Sequence, residues 1–270
     1  MMLRRLADDV RLLRHKETLT TQYGDKPPWP LEVQTVKLPA GREALLILGP
    51  PEAREPLVLV LEADGGRAWT KEMPLVGVFP GVHEMAILSA AEGGVALAFC
   101  DPEGKLAALR HWDADGGIVA DYEVVDAGGC AALSAAHWPG HGMVLAVAGE
   151  EGARTQIIDR QGGRAWGRAG VFLPWQSMTG APVSIAPDGD GLVLLQVGAL
   201  HGTSSSVLLA MRYDGRGSAA WGAPHRVGPA PAQKAARVVA TSAGGGVVRV
   251  QTGGRSVVIS ADGNVSPLAR

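Results

Sequence analysis

The sequence predicts an all-β fold, a single β-propeller of about five four-stranded blades, on three observations. A turn at or near Asp-Gly recurs five times at intervals close to 50 residues, a period that belongs to propellers and solenoids. A glycine-led run of β-forming residues precedes each of these turns, and a further short apolar stretch precedes each run. The composition, with Gly 37 and Pro 18, suits a chain that turns often and tightly.

The N-terminal segment differs from the rest. Leu3, Leu6, Val10 and Leu13 fall at helical spacing with Arg4, Arg5, Asp8, Asp9, Arg11 and Arg14 between them, which predicts a short amphipathic helix. Pro27-Pro28-Trp29-Pro30 then makes a stiff linker, so residues 1–30 are helix and linker. Whether that helix packs on the propeller's own surface or on a partner stays open. Asp8 and Asp9 interrupt the apolar stretch that a signal peptide needs, and the expected compartment is the cytoplasm.

Residues 31–270 form the propeller domain. Its blades are expected near 31–76, 82–127, 128–172, 180–224 and 234–270. Each unit offers strand A, a Gly turn, strand B, a variable loop, strand C, an Asp-Gly turn and strand D. The Gly turns are Gly41 before ALLIL, Gly93-Gly94 before VALAF, Gly142 before MVLAV, Gly191 before LVLLQV and Gly244 to Gly246 before VVRV. The later turns are placed at Asp64, Asp115, Gln161, Asp214 and Asp262, with spacings of 51, 46, 53 and 48. Asp-Gly between apolar runs is a strong hairpin signal because glycine accepts positive φ. A count of six blades stays open as the alternative, although a sixth, degenerate blade has few residues to be built from.

Asp64-Gly65-Gly66-Arg67-Ala68-Trp69 resembles the D-x-G-x-x-W part of the Asp-box in sialidase-type propellers. It is also similar to the blade turns of quinoprotein-like bacterial propellers. Gly162-Gly163-Arg164-Ala165-Trp166 repeats it with Gln161 in place of the Asp, and Asp214 and Asp262 keep less of it. Asp115 has Ala120 where the Trp would stand, and Trp221 follows Asp214 late. The resemblance implies that these Asp and Trp residues are structural. It implies no catalytic residues here: sialidase chemistry needs a Tyr nucleophile and an arginine trio on one face, and the chain's tyrosines are Tyr23, Tyr122 and Tyr213.

Several function classes recede on composition. A net charge of −2 without runs of one sign argues against nucleic acid as the partner. No stretch reaches the roughly 18 apolar residues of a membrane span. Cys100 and Cys130 match no zinc spacing and read as small buried hydrophobes. His137 and His141 are four apart, but Pro139 and Gly140 deny them a helix, so they read as a polar loop. Glu84 is the best-placed acid for glycoside hydrolysis, yet Gly129, Gly180 and Ala235 hold the equivalent level in other units. Asp188-Gly189-Asp190 and Glu150-Glu151 read as solvated turns. The expectation is no enzyme, no metal and no cofactor.

What remains is apolar. Two D-to-A connections resemble each other, Gly77-Val78-Phe79-Pro80-Gly81-Val82 and Gly170-Val171-Phe172-Leu173-Pro174-Trp175, and they hold two of the chain's three Phe residues. In propellers these connections leave from the same end as the B-to-C loops. Phe79, Val82, Phe172, Leu173 and Trp175 are therefore the candidate partner-binding residues, with packing between blades as the competing reading for the aromatics. The sequence points to an interaction module or scaffold for a protein partner, with a carbohydrate-binding propeller, and behind it a five-bladed glycoside hydrolase, as alternatives.

Overall fold

The structure, a computed structural model, describes residues 32–48, 56–72, 85–100, 106–126, 129–130, 132–149, 152–159, 162–172, 176–177, 183–199, 206–230, 238–252 and 255–267. The expected N-terminal helix and linker lie outside the described residues. The chain divides into two compact units, Met1–Gly81 and Val82–Arg270.

The first unit holds one antiparallel sheet in the order β1 (Glu32–Lys37), β2 (Glu43–Leu48), β3 (Leu57–Leu61), β4 (Arg67–Glu72). Ile47, Leu57, Leu59 and Leu61 form its buried cluster. The second unit holds four sheets. They are β5 (Met85–Ser89) to β8 (Ile118–Asp126) with β6 (Val95–Cys100) and β7 (Leu106–Trp112), and β9 (Ala132–Trp138) to β12 (Val171–Phe172) with β10 (Gly142–Gly149) and β11 (Gly152–Ile158). The next runs from β14 (Val183–Asp188) through β15 (Gly191–Ala199) and β16 (Ser206–Asp214) to β17 (His225–Pro229), with β13 (Gln176–Ser177) also on β15. The last is β18 (Val238–Gly244), β19 (Val247–Thr252), β20 (Arg255–Ile259) and β21 (Val265–Pro267). Apart from β13 on β15, every pairing is between neighbours in the chain, so each sheet is one blade of strands A to D. The B strands β6, β10 and β15 are near-continuous apolar runs because they are buried on both faces, β10 along its whole length, whereas β19 alternates buried Val248 and Val250 with exposed Arg249 and Gln251.

The C-to-D turn has one geometry in all five blades. Its first residue donates its N–H to the carbonyl four residues on, and accepts from the N–H three residues on. These first residues are Glu62, Asp113, Asp159, Asp214 and Ser260, at spacings of 51, 46, 55 and 46. The fourth residue is Gly65, Gly116, Gly162, Gly217 or Gly263, with φ between 81° and 89°. That is a three-residue hairpin with a left-handed glycine, the conformation that a side chain makes costly.

This geometry corrects the expected phase. Asp214 opens its turn, whereas Asp64, Asp115 and Asp262 stand two residues later in theirs. The turn carboxylates that accept the amide four residues on are Asp113, from Gly117 at 2.7 Å, Asp159, from Gly163 at 2.7 Å, and Asp214, from Ser218 at 2.8 Å. Asp115 only donates its own N–H to Asp113. Asp64 accepts from Gly66 N–H at 2.7 Å, and Asp262 accepts from the Ser260 hydroxyl and the Asn264 amide. In the corrected phase Trp69, Trp166 and Trp221 share one position, seven residues past the turn's first, and Ala120 and Pro267 hold it in the other two blades.

Inside Val82–Arg270 the shared position ties successive blades. Trp166 donates its indole N–H to the Gly215 carbonyl of the next blade at 3.1 Å, and Trp221 donates to the Ala261 carbonyl of the next at 2.9 Å. Both acceptors stand second in their turn. The A strands are tied in parallel fashion: Ile185 N–H donates to Ser134 Oγ, and Ala240 N–H to Ser184 Oγ.

Two expectations about single residues are overturned. Cys100 and Cys130 are not separate buried thiols but a disulfide, because the fold brings their Cα atoms to 5.6 Å. Asp188 is not a solvated turn residue. It ends β14 with 3% exposure, accepts from Ser242 and lies 3.9 Å from the Arg212 guanidinium. Arg212 also donates to the carbonyls of Gly246 and Asp188, so the pair sits within a hydrogen-bonded seam between the fourth and fifth blades.

Candidate functional site

Of the five candidate partner-binding residues, Phe172 alone lies among the described residues; Phe79, Val82, Leu173 and Trp175 lie outside them. Phe172 closes the two-residue strand β12, paired with Arg154 of β11. Its position follows from Gln156, a buried amide in β11. Gln156 donates to the Gly167 carbonyl at 2.6 Å and accepts from Trp166 N–H at 3.1 Å. The side chain thus stands in for ladder bonds while residues 167–170 loop outward. The edge strand is thereby cut short, and Val171 and Phe172 are left at its far end.

The Phe172 ring is 49% exposed. One face carries the Arg154 guanidinium, 5.4 Å from the ring centroid. Gly152 lies under the ring edge, where a Cβ would come within 2.9 Å of it. Arg154 is itself anchored on the Ala169 carbonyl. All three belong to the third blade. The ring is an apolar plane held in place on its own sheet. Further exposed apolar side chains are Ile118, Val119 and Val239. The first two open β8, the outermost strand of the second blade.

The opposite end of these blades, where the A-to-B and C-to-D turns lie, is given to structure. Trp138 is fully buried, donates to the Gly189 carbonyl at 2.8 Å and meets the His141 ring at a centroid distance of 4.2 Å. His141 therefore packs at a turn rather than facing a ligand with His137. Tyr213 is buried beside Trp166, and burial pushes its hydroxyl well above the ordinary tyrosine range. A nucleophilic tyrosine needs the reverse shift. The Asp262 carboxyl is held below the usual carboxylate value, first by the Ser260 hydroxyl and then by backbone and Asn264 donors. Among the described residues no three His, Cys, Asp or Glu side chains stand close enough to hold a metal ion, and no helix is long and apolar enough to cross a membrane.

No family model and no curated protein matches the chain. Solved structures do. The Aleuria aurantia lectin in complex with α-methyl-L-fucoside is similar over 89% of this chain and 77% of its own, at TM-score 0.57 and 17% identity. The same lectin in complex with Fucα1-6GlcNAc gives TM-score 0.55 at 15% identity, over 89% and 78% of the two chains. The β-propeller domain of the trilobed protease from Pyrococcus furiosus gives 0.51 at 13% identity, over 89% and 71%. At such identities the likeness speaks for the fold alone. With the five antiparallel sheets, each holding strands A to D, it establishes an all-β propeller fold of five blades.

Proposed function

We propose that this chain is a non-enzymatic interaction module, a scaffold subunit that holds a protein partner at the end of the blades where the B-to-C and D-to-A connections leave. The observation that carries this reading is the Phe172 platform. A half-exposed aromatic ring fixed by Arg154 and Gly152 presents apolar area that loses little side-chain freedom on binding, the property of interface anchors. The test is crosslinking and co-purification with a tagged copy, wild type beside Phe172→Ala. Capture of a defined partner should fall about 10-fold or more in the variant, with an unchanged circular dichroism spectrum. A partner held equally by both, or no partner at all, counts against the reading.

A carbohydrate-binding propeller is the second reading, favoured by the likeness to a lectin crystallised with fucose-containing ligands. A glycan array separates the two: saturable binding to one sugar class supports the lectin reading, and a blank array removes it.

A further inference from the structure

We infer that the Cys100–Cys130 disulfide fastens the seam between the second and third blades in place of the indole tie used at the later seams, and that the chain completes its fold in a thiol-oxidising compartment. The inference stands apart from the proposed function.

The later seams, third to fourth and fourth to fifth blade, each carry a Trp indole bonded to the next blade's turn carbonyl. The second blade has Ala120 at that position, and a methyl side chain has no N–H to offer. Among the described residues the cluster packed across this seam holds no aromatic side chain, and four of its buried members are Ala90, Ala96, Ala98 and Ala107. The cluster serving the later seams includes Trp138, Tyr213 and Trp221 with a series of Leu and Val. Small side chains bury little apolar area each, so this seam gains less from packing. It is also the seam that is covalently closed. Cys100 ends β6 of the second blade and Cys130 leads into β9 of the third, and both sulfurs belong to the same Ala-rich cluster.

Closing the bond takes two electrons and two protons from the two thiols. They pass to a thiol–disulfide exchange partner, whose own disulfide becomes two thiols. Such bonds persist where thiols are kept oxidised and are rare in a reducing cytosol. This reading stands against the expected cytoplasmic compartment.

The experiment has two arms on the full chain. Protein alkylated under denaturing, non-reducing conditions should carry no label by intact mass, and two labels after treatment with a dithiol reductant. Two labels before reduction overturn the cross-link. In the second arm, hydrogen exchange is followed on the reduced protein and on the Cys100→Ser/Cys130→Ser variant. Exchange should rise in Met85–Cys100 and Ala132–Trp138 and stay unchanged in Val238–Thr252, with a Tm lower by on the order of 5–10 °C. An unchanged Tm, or a uniform rise over all four blades, overturns the fastening role. Should the double Ser variant fail to fold, the reductant-treated wild type supplies the same readout.

Discussion

At the scale of single residues, a buried imidazole gives the molecule a pH dependence. His111 sits in β7 with its Nε2 buried and without a hydrogen-bond partner. Burial lowers its pKa from the ordinary 6.5, and the nearby Asp113 carboxylate opposes that shift without cancelling it. The folded state thus favours the neutral ring. As pH falls through the ordinary value, the unfolded chain takes up a proton that the folded chain refuses. The His111 contribution to stability is complete above that value and is lost progressively down to the folded pKa. Urea midpoints across this window should fall with pH in the wild type, and the slope should flatten in His111→Gln. An identical slope in both proteins would remove the assignment. Single residues are also where the sequence reads worst. Asp113 and Asp115 are equally plausible turn carboxylates by type and spacing, and the turn's hydrogen bonds separate them: Asp113 accepts from the N–H of both Asp115 and Gly117. The pairing of Cys100 with Cys130 depends on a 5.6 Å approach across two blades, which no local pattern encodes.

At the scale of elements, the repeated turns carry the architecture, and two of their glycines separate backbone strain from crowding. Gly140 and Gly217 have φ of 84° and 81°. A Cβ at Gly140 meets nothing within 4 Å, whereas one at Gly217 comes within 2.8 Å of Val171 Cγ2 and 3.2 Å of the Trp166 ring. Each alanine variant should lose about 1–2 kcal/mol from the left-handed backbone. Gly217→Ala should lose a further ~1–3 kcal/mol through overpacking of a side chain from the preceding blade. Denaturant titration of the two variants checks this, and equal losses would mean that the Trp166 contact yields freely. The strands themselves were legible, since glycine-led apolar runs need only local rules. The two-residue β12 was not. It follows from a buried Gln156 that holds the chain at Trp166 and Gly167, and a single glutamine in a strand carries no signal of which backbone it will hold.

At the scale of the whole molecule, the five-fold repeat was legible because each blade is built from neighbouring strands, so period and topology coincide. The candidate site was legible only as a class of residue at one end of the blades. Phe172 owes its fixed position to Gly152 and Arg154, which sequence spacing does not single out. The same topology ranks the strands of Val82–Arg270 by protection. The B strands β6, β10 and β15 have a hydrogen-bonded neighbour on each side and side chains buried on both faces. The D strands have one neighbour, and β12 and β21 are short with exposed residues. Opening a D strand breaks a few edge bonds, whereas freeing a B strand means dismantling its blade. Hydrogen exchange should therefore be slowest in Met143–Ala148 and Leu192–Val197, and faster by at least about 100-fold in Val171–Phe172 and Val265–Ser266. Exchange at one rate across A to D strands would mean that blades open as whole units, and the edge-to-centre gradient would then have no place in this fold.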